Sequence, residues 1–230
     1  RNGNKLRVNG RIIINDKFSF YKLIIKNNIY YILYNKHIMD RPAPQIFKVR
    51  DELDDGSFDG LHPNIPAMPS LCLIIGSVRS GKSNLLVNFF CSEQFYKDKF
   101  DVVRIVSTTM HSDNKGKILS KYFDCSDNYN DKIITDIKAS QGAYKEKVDR
   151  PKYALVLDDV LTKDFSKNNE VSFFSTRFRH YIDMYVIATQ TFRAVSGLIR
   201  NNATDIIICR QQNDMEKNKI AEEYSGMVGG

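Results

Sequence analysis

Residues 76–83 read GSVRSGKS, which fits G-x-x-x-x-G-K-[ST] with Gly76, Gly81, Lys82 and Ser83 at the fixed positions. The stretch follows an apolar run, LCLII, and opens into NLLVNFF, whose apolar residues recur at helical spacing. Strand, glycine-bearing turn and helix in that order suit one task. Successive backbone N–H groups of the turn converge on a phosphate, and the helix N-terminus adds partial positive charge. Lys82 would then reach β- and γ-phosphate oxygens, and the Ser83 hydroxyl would ligate Mg²⁺. The segment Gly76, Ser77, Val78, Arg79, Ser80, Gly81, Lys82, Ser83 and Asn84 is accordingly expected to line a nucleoside triphosphate. By itself this loop does not separate a kinase from a switch or a motor.

Further residues narrow the chemistry. Residues 152–161, KYALVLDDVL, are an apolar run ending in adjacent acids. An acid at such a strand end holds Mg²⁺ in phosphate-loop enzymes, which assigns Asp158 to the metal. Asp159 beside it would face the γ-phosphate, align the attacking water and take its proton. Two acids there favour hydrolysis over transfer to a bound acceptor. The run MYVIATQ closes in Thr189 and Gln190, a polar pair at the end of an otherwise apolar strand. Gln190 can hydrogen-bond both the lytic water and the γ-phosphate if its strand lies between the phosphate-loop strand and the Asp158 strand. The helical stretch before it carries Arg177 and Arg179, placed to reach a neighbouring subunit's nucleotide more easily than their own. A cation supplied in trans is worth about 10³–10⁵ in rate for arginine fingers. Arg200, in GLIRNN, is a rival for that role.

These groups need a sheet to bring them together. After Pro69, short apolar runs alternate with helical segments, which predicts parallel strands joined by crossover helices, an α/β fold. Strands are expected at 71–76, 102–107, 153–158, 184–189 and 204–209, and helices near 82–92, 115–123, 131–140, 168–181, 193–200 and 213–225. Residues 1–40 differ: RIIIN, KFSFYKLIIK and IYYILYN are rich in β-branched and aromatic residues, which predicts a hairpin or meander with a turn at Asn27-Asn28. Between 41 and 69, prolines and acidic clusters interrupt every periodic pattern, the mark of a connector. Its DELDD run is expected to be a solvated loop rather than a metal site. The organisation expected is a β-rich extension over 1–40, a connector over 41–69 and the ATPase core over 70–230.

With 230 residues the chain can bury one sizeable core. Lys and Arg number 34 against 27 Asp and Glu, so 34 − 27 leaves +7, a balance that favours polyanionic partners without identifying them. Cys72, Cys91, Cys125 and Cys209 include no C-x-x-C pair, and reduced thiols in a cytosolic-type compartment are expected rather than secretion. No apolar run approaches the ~18 residues that cross a bilayer. The chain starts at Arg1 rather than methionine, which leaves a removed leader open.

Three segments, HPNIPAMPSLCLIIGSVRSGKSNLL, YALVLDDV and RHYIDMYVIATQTF…LIRNN, follow in that order over most of 62–210. Together they resemble the FtsK–HerA superfamily of DNA-pumping ATPases, and within it the genome-packaging ATPases of large nucleocytoplasmic DNA viruses. The resemblance implies a RecA-like, additional-strand core, a Mg-ATP site, and a homo-oligomeric ring through which double-stranded DNA moves regardless of sequence. It also implies an arginine finger ahead of the sensor-glutamine strand, which Arg179 and Gln190 match. The superfamily's usual second acid is glutamate, where this chain has Asp159, one methylene shorter. Val78 and Arg79 stand where small residues are common, and residues 1–60 carry none of the motifs.

The function expected is therefore ATP hydrolysis coupled to packaging a viral genome, with capsid proteins as further partners and the host cytoplasm or the virion as location. A cellular segregation or conjugation motor of the same superfamily, or an ATP-gated assembly factor that moves no DNA, is the alternative. A small-molecule kinase is disfavoured by the paired acids and Gln190.

Overall fold

The computed structural model describes the backbone of 7–8, 11–15, 18–25 and 28–35, then residues 58, 61, 64–111, 114–160 and 169–228; side chains are described within Phe58–Tyr224 of these, excepting Asn169. The DELDD run lies outside the described residues. The chain divides into two compact units, Arg1–Val49 with Asn218–Gly230, and Arg50–Lys217.

In the first unit, β1 (Arg7–Val8), β2 (Arg11–Asn15), β3 (Phe18–Ile25) and β4 (Asn28–Asn35) form an antiparallel sheet in sequence order. The register pairs Ile25 with Asn28. Asn28 is thus a strand residue, not half of the turn expected at Asn27-Asn28.

The second unit runs β5 (Ser70–Ile75), α1 (Lys82–Cys91), β6 (Val102–Ser107), α2 (Asn114–Leu119), β7 (Asp124–Ser126), α3 (Lys132–Gly142), β8 (Tyr153–Asp158), α4 (Asn169–Arg177), β9 (Met184–Thr189), α5 (Gly197–Asn202), β10 (Asp205–Ile208) and the start of α6 (Asp214–Val228). Its six strands lie in the order β10-β5-β9-β8-β6-β7, every neighbouring pair parallel. All residues of β5, β8 and β9 are buried, as parallel strands covered on both faces must be. Alternate residues Cys72, Ile74, Ala154, Val156, Val186 and Ala188 share one face with Leu86, Phe89 and Phe90 of α1. On α1, Phe89 meets Tyr96 edge to face, with centroids 5.5 Å apart. Phe58 and Met68, from the proline-interrupted stretch, join this cluster, Phe58 at 5.1 Å from Phe100. The opposite face is covered by α4, whose Phe174 packs on Tyr185 at 5.4 Å.

Among the described residues of this unit, six strands form where five were expected. The additional one, β7, has three residues on the sheet edge, too short for any apolar alternation to show. Two expected helices are broken. The one over 168–181 is α4 followed by a 3-10 turn, Phe178–His180, its expected first residue lying outside the described ones; that over 193–200 is a 3-10 turn, Phe192–Ala194, then α5. Ser196 causes the second break, because its hydroxyl accepts from the Ile199 N–H and starts a new helix there.

Candidate active site

Strand register brings the sequence-selected residues to one edge. Ile75, last in β5, pairs with Thr189 on one side and Ile208 on the other. Asp158, last in β8, pairs with Ala188 and with Ser107, last in β6. The residues that follow, Gly76, Asp159 and Gln190, therefore emerge side by side at the carboxyl ends of the strands, where open α/β sheets bind ligands. The strand of Gln190 lies between that of the loop and that of Asp158, the arrangement its expected role requires.

The loop of 76–81 is tightly built. Gly76 donates to the Thr189 carbonyl at 3.0 Å and Ser77 to that of Arg210 at 3.1 Å. A Cβ on Gly76 would stand 2.3 Å from Ser80 Oγ and 2.6 Å from Cys209 Cβ, so only glycine fits. Arg79 and Gly81 take positive φ, 59° and 105°, turning the chain into the first turn of α1. Val78, Arg79, Gly81 and Asn84 are exposed along it, with Ser77, Ser80 and Ser83 half-buried. Burial pushes the Cys209 thiol up against the opposing pull of Lys82, which keeps it protonated beside the loop.

Lys82 is 6% exposed; its Nζ donates to the Gly76 carbonyl at 2.8 Å and lies 3.8 Å from Asp159 Oδ1. The other oxygen, Asp159 Oδ2, accepts from Gln190 Nε2 at 2.9 Å. Cation, carboxylate and amide thus meet directly over the loop. Asp159 has φ 51°, and its N–H donates to the Ala188 carbonyl at 2.9 Å. Aspartate is among the residues enriched in that left-handed backbone, because its short polar group bonds locally.

Asp158 is buried and Oδ2 accepts from Ser107 Oγ at 2.9 Å. Ser83, Ser107, Thr109, Lys115 and Asp158 line one small pocket floored by Leu86. A serine hydroxyl and a carboxylate in one pocket are hard oxygen donors of the kind Mg²⁺ takes alongside phosphate and water, so the residues present fit that ion. Ser107 was not selected from sequence. The available signal was a polar residue closing VVRIV, a run apolar but for Arg104, the feature that marked Thr189 and Gln190.

The arginines stand elsewhere. Arg177 ends α4, and Arg179 lies in the 3-10 turn after it rather than on the expected helix; both are exposed. That turn precedes Met184, at the opposite end of β9 from Gln190, and six residues of strand span roughly 17 Å. Arg179 is thus not brought to its own chain's loop. Arg200 is engaged within its own chain, its guanidinium donating to the Val195 carbonyl and lying 4.7 Å from the Phe192 ring centroid.

Six parallel strands, a phosphate-loop motif on β5, acids ending β8 and the Gln190 strand between them decide the architecture. This is the α/β fold of the P-loop ATPases.

No family model matches the chain. A curated relative, uncharacterized protein 088R of Invertebrate iridescent virus 3, is 23% identical over 164 residues, 69% of this chain and 60% of that protein. Among solved structures, the DNA-packaging ATPase B204 of Sulfolobus turreted icosahedral virus aligns with TM-score 0.47 and 17% identity, covering 67% of this chain and 82% of that one. The cytoplasmic domain of the type VII secretion ATPase EccC of Thermomonospora curvata aligns with TM-score 0.48 and 13% identity, over 64% of this chain and 20% of that one. Among the described residues, no helix is long and apolar enough to cross a membrane.

Proposed function

We propose that the chain is an ATPase that hydrolyses Mg-ATP and uses the reaction to move double-stranded DNA into a viral capsid, working as a homo-oligomeric ring. The observation that carries the hydrolytic part is the meeting of Lys82, Asp159 and Gln190, at 3.8 and 2.9 Å, above a glycine-bound phosphate loop. Lys82 would exchange the Gly76 carbonyl for phosphate oxygens. Asp159 would orient a water and accept its proton on a carboxylate oxygen, and the Gln190 amide would hold that water in line. Asp158 and Ser83 would hold Mg²⁺, which when bound neutralises charge on the β- and γ-phosphates. Arg179, exposed and remote from its own loop, is assigned to the neighbouring subunit's nucleotide, with Arg200 as the alternative.

The DNA part rests on the resemblance, on the net charge of +7 and on the viral relative. Contacts of this kind go to phosphates, so binding would be sequence-tolerant and salt-sensitive. ATP turnover measured with and without duplex DNA across a salt series tests it. Stimulation that fades as salt rises supports a translocase. Turnover indifferent to DNA at every salt concentration refutes one and leaves an ATP-gated assembly factor.

A further inference from the structure

The stretch from the end of β10 into the first turn of α6 bonds to both halves of the site. Ser77 N–H donates to the Arg210 carbonyl at 3.1 Å, and Ser77 Oγ accepts from Gln212 N–H at 2.8 Å. Four residues further on, Glu216 stands in the first turn of α6, only 7% exposed. Its Oε2 accepts from the backbone N–H of Phe192 at 2.8 Å and of Arg193 at 3.4 Å, and its Oε1 lies 3.6 Å from Arg193 Nε. Phe192 and Arg193 begin the 3-10 turn two residues beyond Gln190. An acid in a helix's first turn is favoured by the helix dipole. That does not explain why this one is buried and aimed away from its own helix at another segment's backbone.

A charged acceptor shared by two adjacent N–H groups, in a place where water competes poorly, fixes a backbone more firmly than a neutral acceptor would. We infer that Glu216 is a positioning residue for Gln190: by anchoring the turn that follows β9, it sets where the Gln190 amide stands over Asp159. This rests on the reading above that Gln190 acts on the lytic water. The same segment's bonds to Ser77 tie the phosphate loop to that anchor, so loop and glutamine share one support.

The test is ATP turnover and fluorescent-ATP affinity of the full chain, alongside Gln190→Ala, Glu216→Ala, Glu216→Gln and the Gln190→Ala/Glu216→Ala double variant. Glu216→Ala is expected to lower kcat about 10- to 100-fold, the scale of a misplacement near 1 Å, with KM and nucleotide affinity within about twofold of the parent. Glu216→Gln, whose amide oxygen can still accept from both N–H groups, recovers most of kcat. The double variant is no slower than Gln190→Ala alone, because a positioning residue has nothing left to position. Parent-like kcat in Glu216→Ala overturns the inference, as does a double variant slower than Gln190→Ala by the full single-variant factor. Full turnover by Gln190→Ala is a different failure, that of the sensor reading itself. Should Glu216→Ala not fold, Glu216→Asp replaces it in the same comparisons, since one methylene less takes the carboxylate out of reach of the Phe192 N–H.

Discussion

Adding one methyl group at Gly76 should damage the nucleotide site. The new Cβ would lie 2.6 Å from Cys209 Cβ and 2.3 Å from Ser80 Oγ. The serine can rotate away, but Cys209 Cβ is fixed to the backbone of the β10 end, and carbon atoms need ~3.5–4.0 Å. Loop and strand end must therefore separate by about 1 Å. Two hydrogen bonds cross that seam: Ser77 N–H to Arg210 and Cys209 N–H to Ile75, at 3.1 and 2.7 Å. Overpacking of this kind costs about 1–3 kcal/mol, which for a chain of this size lowers Tm by roughly 2–12 °C. Displacing the loop also removes at least one backbone N–H from a bound phosphate, worth about 1.5–3 kcal/mol, or about 10- to 100-fold in Kd. Gly81→Ala is the control, because nothing lies within 4 Å of its Cβ and only the φ of 105° resists it. Thermal melting and fluorescent-ATP titration read both effects. A Gly76→Ala protein with parent-like Tm and parent-like affinity would refute the assignment of this turn as a closely packed phosphate loop.

Ser107→Ala should weaken Mn²⁺ binding in the presence of nucleotide by about 10-fold or more, the scale of lost support to a metal carboxylate, while metal-free nucleotide affinity stays unchanged; an unaltered Mn²⁺ titration followed by electron paramagnetic resonance would disprove that support. Arg179→Ala should bind nucleotide but lose turnover, and mixing it with Asp159→Asn should restore part of the rate, whereas parent-like activity of Arg179→Ala excludes the finger. Burial, with a further push from Asp124, raises the Cys125 thiol from 9.0 to about 11. The folded chain keeps that proton to higher pH than the unfolded chain does, so stability from this group is intact below pH ~9 and declines towards pH ~11. At pH 8 the thiolate fraction should be about 100-fold smaller folded than unfolded, and iodoacetamide labelling of Cys125 should slow accordingly; equal rates with and without denaturant would contradict it.

Most of the sheet was legible because buried parallel strands leave continuous apolar runs, as in LCLII and YALVL, and because the phosphate loop has a spacing that few other structures need. Gln190 could be selected for the same reason, a polar residue at the close of an apolar run. Other features left no such trace. The 3-10 turns at Phe178 and Phe192 arise where helical periodicity continues across a break made by local bonding, such as the Ser196 cap. Strand β7 is too short to show a period. Glu216 reads as an ordinary surface acid at a helix start; its burial against Phe192 is created by two segments 24 residues apart. The positive φ of Asp159 is invisible in the letters DD.

One cleft, between the Gly76–Ser83 turn and the residues ending β8 and β9, is proposed to bind ATP and cleave it. The most direct test is single-turnover hydrolysis with Mg²⁺ by the parent, Asp159→Asn and Gln190→Ala, each first shown to bind ATP. Parent turnover is expected and, in both variants, retained affinity with cleavage slowed by about 10²-fold or more, the usual loss when one preorganised polar group is removed. A parent that does not bind ATP, or variants that cleave it at the parent rate, would contradict it.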